Sequence, residues 1–494
     1  MLNYKVLNII GLILSMLGLS MIPSILWSYY YNDSDMQSLF YSSIITITFG
    51  LILYFITYIY IKNKSTNKEL SLKDGFTVVS LAWITMSIFS AIPYYLSLDG
   101  FSFTNSFFEA MSGLTTTGAT VLGNNTISIE SLSHGLLYWR SFTQFIGGMG
   151  IIVFSIAILP LLGIGGVQLF KAEVAGPSAD KITPRIKQTA KLLWGIYLGL
   201  IIIIMIIFYL QGMTFFDAIC HSFTTISTAG FSTHTESIKF FNNPAIEWTM
   251  ILFMFIAGTN FSLHYSFISK SKFNYFKSEE FKIYLFLFIS ISLVIFLNIS
   301  FSKISNYTLN LDTLRHSFFT TTSLLTTSGF VTENYELWPN FSQMILFILF
   351  FVGASAGSTT GGLKLIRTIL IFKYLFYEMK KLIHPSGVYN IKIGKKIIED
   401  DVIKNTLGFY LFYFIIFISA ALFFSSFNMD LITSLSASAS SIGNIGPALG
   451  SVGPYDNWGH FPSSAKWVSC FCMLLGRLEI FTVMILFSRI FWRH

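Results

Sequence analysis

Residues 107–122 read FFEAMSGLTTTGATVL, so that a short apolar segment ends in three threonines and a glycine, Gly118. The apolar segment covers 103–115 and is too short to cross a bilayer, because a transmembrane helix needs about 20 residues. Three later stretches have the same form, with a glycine two residues after a Thr or Asn. Their apolar segments are 215–227, 313–325 and 430–441, and their glycines are Gly230, Gly329 and Gly446. The repeat indicates that four copies of one structural unit organise the chain.

The composition assigns the chain to the membrane proteins. Of its 494 residues, 53% are hydrophobic and 11% are charged, whereas a soluble domain has about 25% charged residues. The chain contains ten apolar runs long enough to be membrane spans, and no stretch remains for an independent soluble domain. The ten runs are 7–30, 39–61, 76–98, 136–162, 189–210, 245–269, 281–300, 340–372, 402–427 and 463–492.

We therefore predict an all-α membrane protein with two N-terminal helices plus four pseudo-fourfold repeats of helix, pore helix, filter loop and helix. Four such units in one chain imply an arrangement around a single axis. The predicted divisions are 1–70 for the two N-terminal transmembrane helices, 71–175 for pore unit 1, 176–275 for pore unit 2, 276–395 for pore unit 3 with an interrupted second helix, and 396–494 for pore unit 4.

The net charge of +7 follows the predicted membrane topology. Most Lys and Arg residues lie in segments that alternate with the spans, as the positive-inside rule requires. This distribution predicts that both termini are cytoplasmic, and it accounts for the basic balance without nucleic acid as a partner. The three cysteines, Cys220, Cys470 and Cys472, lack the spacing of a metal site.

The glycine motifs have the chemistry of a cation filter. Irregular backbone is tolerated at membrane depth only where it is buried in protein or lines a water-filled path. Loops that converge on an axis present rings of carbonyls that can replace the hydration shell of a cation, and glycine permits the required backbone angles. The competing interpretation, helix packing through small residues, does not explain four copies at the same place. The predicted filter residues are Thr116, Thr117, Gly118, Thr228, Ala229, Gly230, Thr327, Ser328, Gly329, Asn444, Ile445 and Gly446.

The eighth apolar run is interrupted by GASAGSTTGG at 353–362. Four glycines and four hydroxyl residues predict a break in the helix near the middle of the bilayer. Lys364 and Arg367 follow on one helical face. There they line an inner vestibule, contact carbonyls of the loop, or anchor the helix at the membrane surface. The glycines of this loop are Gly353, Gly357, Gly361 and Gly362.

Two more arginines fall inside predicted spans. Arg477 lies well within the last run, and a mid-membrane arginine is costly enough to be a functional candidate. Its alternative role is a structural ion pair with an acid, although Glu479 is two residues away and points to a different helical face. Arg140 stands beside Tyr138 and Trp139 and is interpreted as an interfacial anchor in an aromatic belt.

The chain resembles the Trk/Ktr/HKT superfamily of K⁺ transport proteins, specifically its TrkH-type subunits, over essentially its whole length. In some related plant transporters a serine at the first filter position goes with Na⁺ permeation, so Gly118 favours K⁺. In the fourth unit, Asn444 stands where the other units have threonine. The stretches that carry the resemblance are 107–122, WRSFTQFIGGMGIIV at 139–153, NFSLHY at 260–265, GASAGSTTGGLKLIR at 353–367, NIGPALG at 444–450 and LGRLEIFT at 475–482.

The resemblance implies K⁺ uptake through a gated, channel-like pore across the bacterial cytoplasmic (inner) membrane, with K⁺ as the transported ion and no prosthetic group. It also implies that the loop 353–362 obstructs the pore beneath the filter and acts as a gate whose glycines let it move. Arg477 would project into the pore beside this loop as a barrier to cations, and Lys364 and Arg367 would belong to the same gate. The implied partners are a TrkA-like cytosolic nucleotide-binding regulatory ring and a second copy of the chain in a homodimer, in addition to the lipid bilayer.

Two transport alternatives remain open. One is a coupled K⁺/H⁺ or K⁺/Na⁺ symporter, which would place ionisable residues at a midplane site. The sequence offers Arg477 there without a clear carboxylate relay, which favours the channel-like mechanism. The other alternative is a Na⁺-permeable homologue. An enzyme is not expected, because the sequence has no phosphate-binding loop, catalytic triad or metal cluster.

Overall fold

The computed structural model describes residues 3–64, 71–124, 126–157, 182–269, 275–302, 308–385, 387, 390–394 and 396–492. Within these residues the fold is almost entirely helical, as predicted. Two short strands, β1 (Lys392–Ile393) and β2 (Lys396–Ile397), form an antiparallel hairpin in which Lys392 is paired with Ile397. The predicted boundary between the first two pore units, at 175/176, lies outside the described residues, as does the end of the fourth predicted span at 158–162.

The described helices follow the predicted order of elements. The N-terminal helices are α1 (Tyr4–Leu19), α2 (Ile22–Tyr31) and α3 (Met36–Lys64). The first repeat has α4 (Leu72–Ser97), α5 (Phe103–Leu114) and α6 (His134–Ala157); the second has α7 (Ile182–Leu210), α8 (Phe215–Ile226), α9 (Pro244–Ala257) and α10 (Phe261–Ser269). The third has α11 (Glu279–Phe301), α12 (Leu311–Leu325), α13 (Asn340–Leu349) and α14 (Leu365–Ile383); the fourth has α15 (Asp400–Ser425), α16 (Leu431–Gly443), α17 (Ser463–Arg477), α18 (Phe481–Met484) and α19 (Arg489–Trp492).

The four short helices α5, α8, α12 and α16 occupy the four short apolar segments that the sequence predicts. Each begins in the same way, because a polar side chain at the N-cap accepts a hydrogen bond from the backbone N–H three residues later. This bond satisfies one of the N–H groups that a helix start leaves free. The four capping residues are Ser102, Thr214, Asn310 and Asp430.

The repeats pack around one axis. Helix α6 of the first repeat packs against the short helix α8 of the second, α9 packs against α12, and α17 of the fourth packs against α5 of the first. The third and fourth repeats meet where α14 packs against α15 and at the loop before α14, where a Cβ on Gly361 would lie 2.7 Å from the carbonyl oxygen of Gly443. The pseudo-fourfold arrangement is therefore closed, and the short helices stand inside it.

Six helical segments among the described residues are long and apolar enough to cross a membrane, as expected of a multi-pass membrane protein. The segments are Tyr4–Tyr31, Met36–Asn63, Lys73–Ser97, Ala190–Leu210, Glu279–Phe301 and Asp400–Ser425. Two more segments pass only as bent pairs, Pro244–Ala257 with Phe261–Ile268 at 95° and Ser463–Arg477 with Phe481–Phe487 at 111°. The runs 245–269 and 463–492 therefore each contain a bend that the sequence did not predict, whereas the break predicted in 340–372 is confirmed.

The bend in the second repeat has a clear cause in the loop of the third repeat. At the end of α9 the carbonyl of Gly258 accepts a hydrogen bond from the backbone N–H of Ser355 at 3.1 Å. At the start of α10 the backbone N–H of Phe261 donates to the carbonyl of Gly357 at 3.0 Å. These bonds replace the intrahelical ones that a bend removes. Because their partners are about 100 residues away along the chain, the helical periodicity of 245–269 gave no sign of them.

Candidate functional site

Each short helix ends in the same turn, and this turn positions the predicted filter residues. In the first repeat the backbone N–H groups of Thr116 and Thr117 donate to the carbonyls of Gly113 and Ser112 at 3.0 and 2.9 Å, which is a Schellman ending. The other three repeats make the same pair of bonds. The left-handed residue of each turn is a Thr or Asn, and a threonine held there stores about 1–3 kcal/mol of backbone strain. The four residues are Thr116, Thr228, Thr327 and Asn444, with φ of 51°, 52°, 54° and 54°.

The filter glycines follow two residues later and interlock the repeats. Their φ angles are also positive, which glycine adopts without strain. A Cβ added to any of the four would lie closer than 3.0 Å to a carbonyl oxygen of the next repeat, and the contact made by the fourth repeat returns to the first. The filter segments therefore form a closed ring. The four contacts join Gly118 (φ 80°) to Ala229, Gly230 (φ 81°) to Ser328, Gly329 (φ 74°) to Ile445, and Gly446 (φ 100°) to Thr117.

The side chains of the ring are not equivalent in all four repeats. The hydroxyls of Thr115 and Thr117 share a hydrogen bond of 2.8 Å, and Thr326 and Ser328 repeat this contact in the third repeat at 2.8 Å. In the fourth repeat Asn444 instead donates through Nδ2 to Thr117 Oγ1 at 3.0 Å and to the carbonyl of Met473 at 2.8 Å. The fourth repeat is therefore tied to the first by an amide.

Two buried oxygen atoms of the ring have no hydrogen-bond partner among the described residues. They are Thr116 Oγ1 and Asn444 Oδ1. Buried polar atoms are normally paired, because an unpaired one costs about 1–3 kcal/mol. These two oxygens are thus free to accept from water or to coordinate a cation.

The loop 353–362 lies directly against the ring, at the ends of the short helices. Thr359 Oγ1 donates to the carbonyl of Ile226, at the end of α8, at 3.0 Å, and Thr228 Oγ1 donates to Thr359 Oγ1 at 3.3 Å. The backbone N–H of Gly361 donates to Thr327 Oγ1 at 2.8 Å, and a Cβ on Gly361 would lie 2.7 Å from that of Asn444. The loop therefore contacts the filter segments of the second, third and fourth repeats.

The predicted glycines shape this loop. Gly357 and Gly362 have φ of 71° and 66°, so that both positions favour glycine. Gly353 donates its backbone N–H to the carbonyl of Leu363 at 2.7 Å, which draws the two ends of the loop together. Helix α13 ends before the loop and α14 begins after it, so the chain between the two helices is irregular backbone.

Arg477 is buried beside the loop and is not paired with Glu479. Its guanidinium donates to the carbonyl of Thr359 at 2.8 Å and to that of Gly147, in α6, at 3.2 Å. Glu479 instead accepts from Arg367 at 2.6 Å. Arg477 therefore joins the last residue of α17 to the loop and to the first repeat, with no carboxylate to neutralise it in these contacts.

The two cations after the loop have different surroundings. Lys364 Nζ donates to the carbonyl and, at 3.3 Å, to the hydroxyl of Thr360. Of the interpretations left open by the sequence, contact with a carbonyl of the loop is therefore the one that the structure has for Lys364. Arg367 lies over the ring of Phe409 at 4.1 Å in addition to pairing with Glu479, so it is held by an ion pair and an aromatic face.

The interpretation of Arg140 as an interfacial anchor was wrong. Arg140 is only 2% exposed and donates to Glu109 Oε1 at 2.7 Å, inside the protein. Gln144, one turn further along α6, is also fully buried and was not identified from the sequence. One signal could have suggested the pair: a membrane-embedded arginine needs a counter-ion, and Glu109 is the carboxylate within the first short apolar segment.

On the side opposite the loop, a cavity of about 70 Å³ is lined by all four filter glycines. Residues of the loops that follow the filter surround it, and Glu130 ties two of these loops together. Its carboxylate accepts from the backbone N–H and the hydroxyl of Thr235, both at 2.6 Å. Burial raises the pKa of Glu130, but hydrogen bonds from Ser128 and Thr235 lower it more, so that the pKa falls to about 2 and the carboxylate is ionised at neutral pH.

Comparison with known proteins accounts for the whole chain. The model of the TrkH family, described as cation transport protein, matches residues 41–493. The Trk system potassium uptake proteins TrkH of Halomonas elongata and of Escherichia coli are 40% and 37% identical to this chain. Each alignment covers 99% of this chain and 99% of the relative. The crystal structure of the potassium transporter TrkH from Vibrio parahaemolyticus is 36% identical and covers both chains fully with a TM-score of 0.89. The family and these relatives are transport proteins and not enzymes. With the fold, the four repeats and the whole length of the chain in agreement, this protein belongs to the TrkH family.

Proposed function

We propose that this protein carries K⁺ into the cell through a gated pore in the cytoplasmic membrane. The observation that carries the proposal is the closed ring, in which four filter segments repeat the same two positive φ angles and contact one another in order. The relatives named above support the choice of ion, since they are potassium uptake proteins and a potassium transporter.

The K⁺ ligands in this proposal are oxygens of the twelve predicted filter residues. Backbone carbonyls and hydroxyls arranged in rings can replace the water around a cation. Among these oxygens, Thr116 Oγ1 and Asn444 Oδ1 have no hydrogen-bond partner within the described residues and are available as acceptors. The short helices end at the ring, and the partial negative charge of a helix C-terminus favours a cation there.

The gate in this proposal consists of the loop 353–362, Lys364, Arg367 and Arg477. The hydrogen bonds that join Thr359 to Thr228 and Gly361 to Thr327 support a loop that closes the pathway directly beneath the ring. The glycines of the loop give it the freedom to move, and Arg477 adds a positive charge that a passing cation must approach.

The proposal also includes the membrane, the topology and the partners of the protein. We infer a multi-pass protein of the bacterial inner membrane with both termini in the cytoplasm, divided into an N-terminal pair of helices and four pore units at the boundaries given above. A cytosolic nucleotide-binding ring and a second copy of the chain are the proposed partners. The Trk system in the relatives' names supports a protein that works with other components.

Ion flux into liposomes tests the proposal. Purified protein should pass K⁺ faster than Na⁺ down an imposed concentration gradient, and the K⁺ flux should not change when a pH gradient is added. Equal K⁺ and Na⁺ rates would instead establish a Na⁺-permeable homologue, and K⁺ flux that requires a H⁺ or Na⁺ gradient would establish a symporter.

Deletion of residues 355–360 tests the gate. Because this segment includes Thr359 and its contacts to the filter, its removal should open the pathway and raise K⁺ flux in the absence of any partner protein. Liposome flux measured with the same amount of reconstituted protein checks the result, and a deletion variant that folds and stays closed would contradict the role of the loop.

A single substitution guards against misfolding of the deletion variant. Thr359→Val keeps the side-chain shape but loses the hydroxyl, whose single proton is shared between the carbonyls of Ile226 and Ala257 at 3.0 and 3.3 Å and whose oxygen accepts from Thr228 at 3.3 Å. If the loss costs the closed loop about 1 kcal/mol, basal flux should rise several-fold. The matched control is Thr406→Val, which removes only a bond within α15, to Val402 at 2.8 Å, and should leave flux unchanged.

A further inference from the structure

A buried ion pair between α5 and α6 connects the first two filter segments. Glu109 lies in the short helix α5 and is fully buried; Arg140 lies in α6. Arg140 Nε donates to Glu109 Oε1 at 2.7 Å. A buried pair of this kind contributes little net stability compared with apolar residues, but losing one partner leaves an uncompensated charge. The importance of this ion pair therefore lies in the segments that its two side chains hold in place.

Glu109 holds the filter segment of its own repeat. Its carboxylate accepts from the hydroxyl of Thr120 at 2.9 and 3.1 Å and from the backbone N–H of Val121 at 3.1 Å. These residues follow the filter glycine Gly118 directly. The carboxylate is thus a fixed point for the chain as it leaves the ring.

Arg140 and Gln144 hold the filter segment of the second repeat. Arg140 Nη1 donates to the carbonyl of Ser232 at 2.7 Å, and its guanidinium lies over the ring of Phe231 at 3.7 Å. Gln144 Nε2 donates to the carbonyl of Ala229 at 2.8 Å, while its Oε1 accepts from the backbone N–H of Phe231 at 3.2 Å. The carbonyl of Ala229 is the ring oxygen that contacts Gly118. Side chains on one face of α6 therefore hydrogen-bond to the second filter segment on both sides of its glycine, Gly230.

This brace is specific to the junction of the first and second repeats. Counted from the first residue of each helix, the places of Arg140 and Gln144 in α9, α13 and α17 carry mostly apolar side chains. At the place of Arg140 stand Met250, Leu346 and Ser469. At the place of Gln144 stand Met254, Met473 and, directly after the end of α13, Phe350.

We propose that Glu109, Arg140 and Gln144 are positioning residues that fix the first and second filter segments relative to each other and thereby determine how strongly the pore prefers K⁺ to Na⁺. This inference rests on the proposed function, since it concerns the selectivity of that pore. Selectivity depends on the positions, number and field strength of the coordinating oxygens. The brace formed by Glu109, Arg140 and Gln144 affects all three properties at the carbonyl of Ala229. The hydrogen bond from Gln144 fixes the position of this oxygen and occupies one of its lone pairs.

Two conservative variants test the inference in reconstituted protein. Arg140→Lys keeps a positive charge beside Glu109, but lysine lacks the planar fork that also reaches Ser232. Gln144→Met has the side chain found at the same place in α9 and α17, and it loses both bonds to the second segment. Each variant should lower the ratio of K⁺ to Na⁺ flux by about three- to ten-fold, the factor that one or two ordinary hydrogen bonds would produce.

The matched control is Arg315→Lys. Arg315 is also buried in the protein and donates to Glu247 at 2.8 Å, and it lies in the short helix α12. Among the described residues its guanidinium pairs with the carboxylates of Glu247 and Asp312 and with no filter residue. The flux ratio of this variant should equal that of the unaltered protein, although its thermal stability is expected to fall.

The outcomes separate the inference from the proposed function. If the unaltered protein passes no K⁺, the proposed function fails and the inference fails with it. If the unaltered protein is selective and both Arg140→Lys and Gln144→Met keep its flux ratio, only the inference is overturned. A ratio that falls equally in Arg315→Lys also overturns it, because the effect would then be a general response to a weakened buried arginine. A fall confined to the two α6 variants, with K⁺ flux retained, supports it.

Discussion

Replacement of Arg477 by alanine should raise basal K⁺ flux by about ten- to a hundred-fold in the absence of any partner protein. The side chain is buried beside the loop, and its contacts to Thr359 and Gly147 are to carbonyl oxygens and not to a carboxylate. A unit charge about 5 Å from a cation repels it by about 3 kcal/mol at an effective dielectric constant of about 20. Removal of such a barrier corresponds to a rate increase of about a hundred-fold.

Alanine also removes two hydrogen bonds that hold the closed loop, so the barrier and the bracing contribution need to be separated. Arg477→Lys retains the charge but does not reproduce the two-pronged contact to Thr359 and Gly147. If the charge dominates, the lysine variant should remain nearly closed while the alanine variant conducts. Liposome flux at equal protein density, with thermal unfolding as a check on folding, measures both. A folded alanine variant with unchanged or lower flux would refute the barrier role of Arg477.

The parts of the site that the sequence predicts well are those with a local cause. The short helices and their glycines repeat along the chain. An apolar segment of about a dozen residues that begins with a capping residue and is followed by a glycine predicts a short helix and a turn with positive φ. The break at 353–362 was visible for the same reason, because a run of glycine and hydroxyl residues is a poor lipid-facing helix. For these features the residues that form the structure are also neighbours in sequence.

The parts that were missed depend on partners far away in sequence. Arg140 has its aromatic neighbours on one side and reads locally as an interfacial anchor, but its position is decided by Glu109 and by the carbonyl of Ser232. The bend after α9 depends likewise on Ser355 and Gly357 of the third repeat. Hydropathy scores the length of an apolar run, and it does not register that a distant loop supplies the hydrogen bonds that make a bend tolerable.

Substitution of Gly230 by alanine should abolish K⁺ flux, with a loss of at least about a hundred-fold, in protein that still folds. Its φ of 81° is unfavourable for alanine, and the added Cβ would lie closer than 3.0 Å to the carbonyl oxygen of Ser328. The backbone cannot yield at one place alone, because Ser328 belongs to the segment whose own glycine, Gly329, contacts Ile445. Interiors this closely packed transmit such a displacement to their neighbours, so the whole ring should distort.

The matched control is Gly199→Ala, in the middle of α7. A Cβ on Gly199 meets no other atom within 4 Å, and alanine is the better helix former by about 1 kcal/mol. This variant should conduct normally and unfold at the same or a higher temperature. If the ring acts as one filter, alanine at Gly118, Gly329 or Gly446 should be as harmful as at Gly230, since each contacts the next repeat in the same way. A folded Gly230→Ala protein with normal flux would mean that ions pass by another route, because no ring of these dimensions accommodates the added atom without moving its carbonyl oxygens.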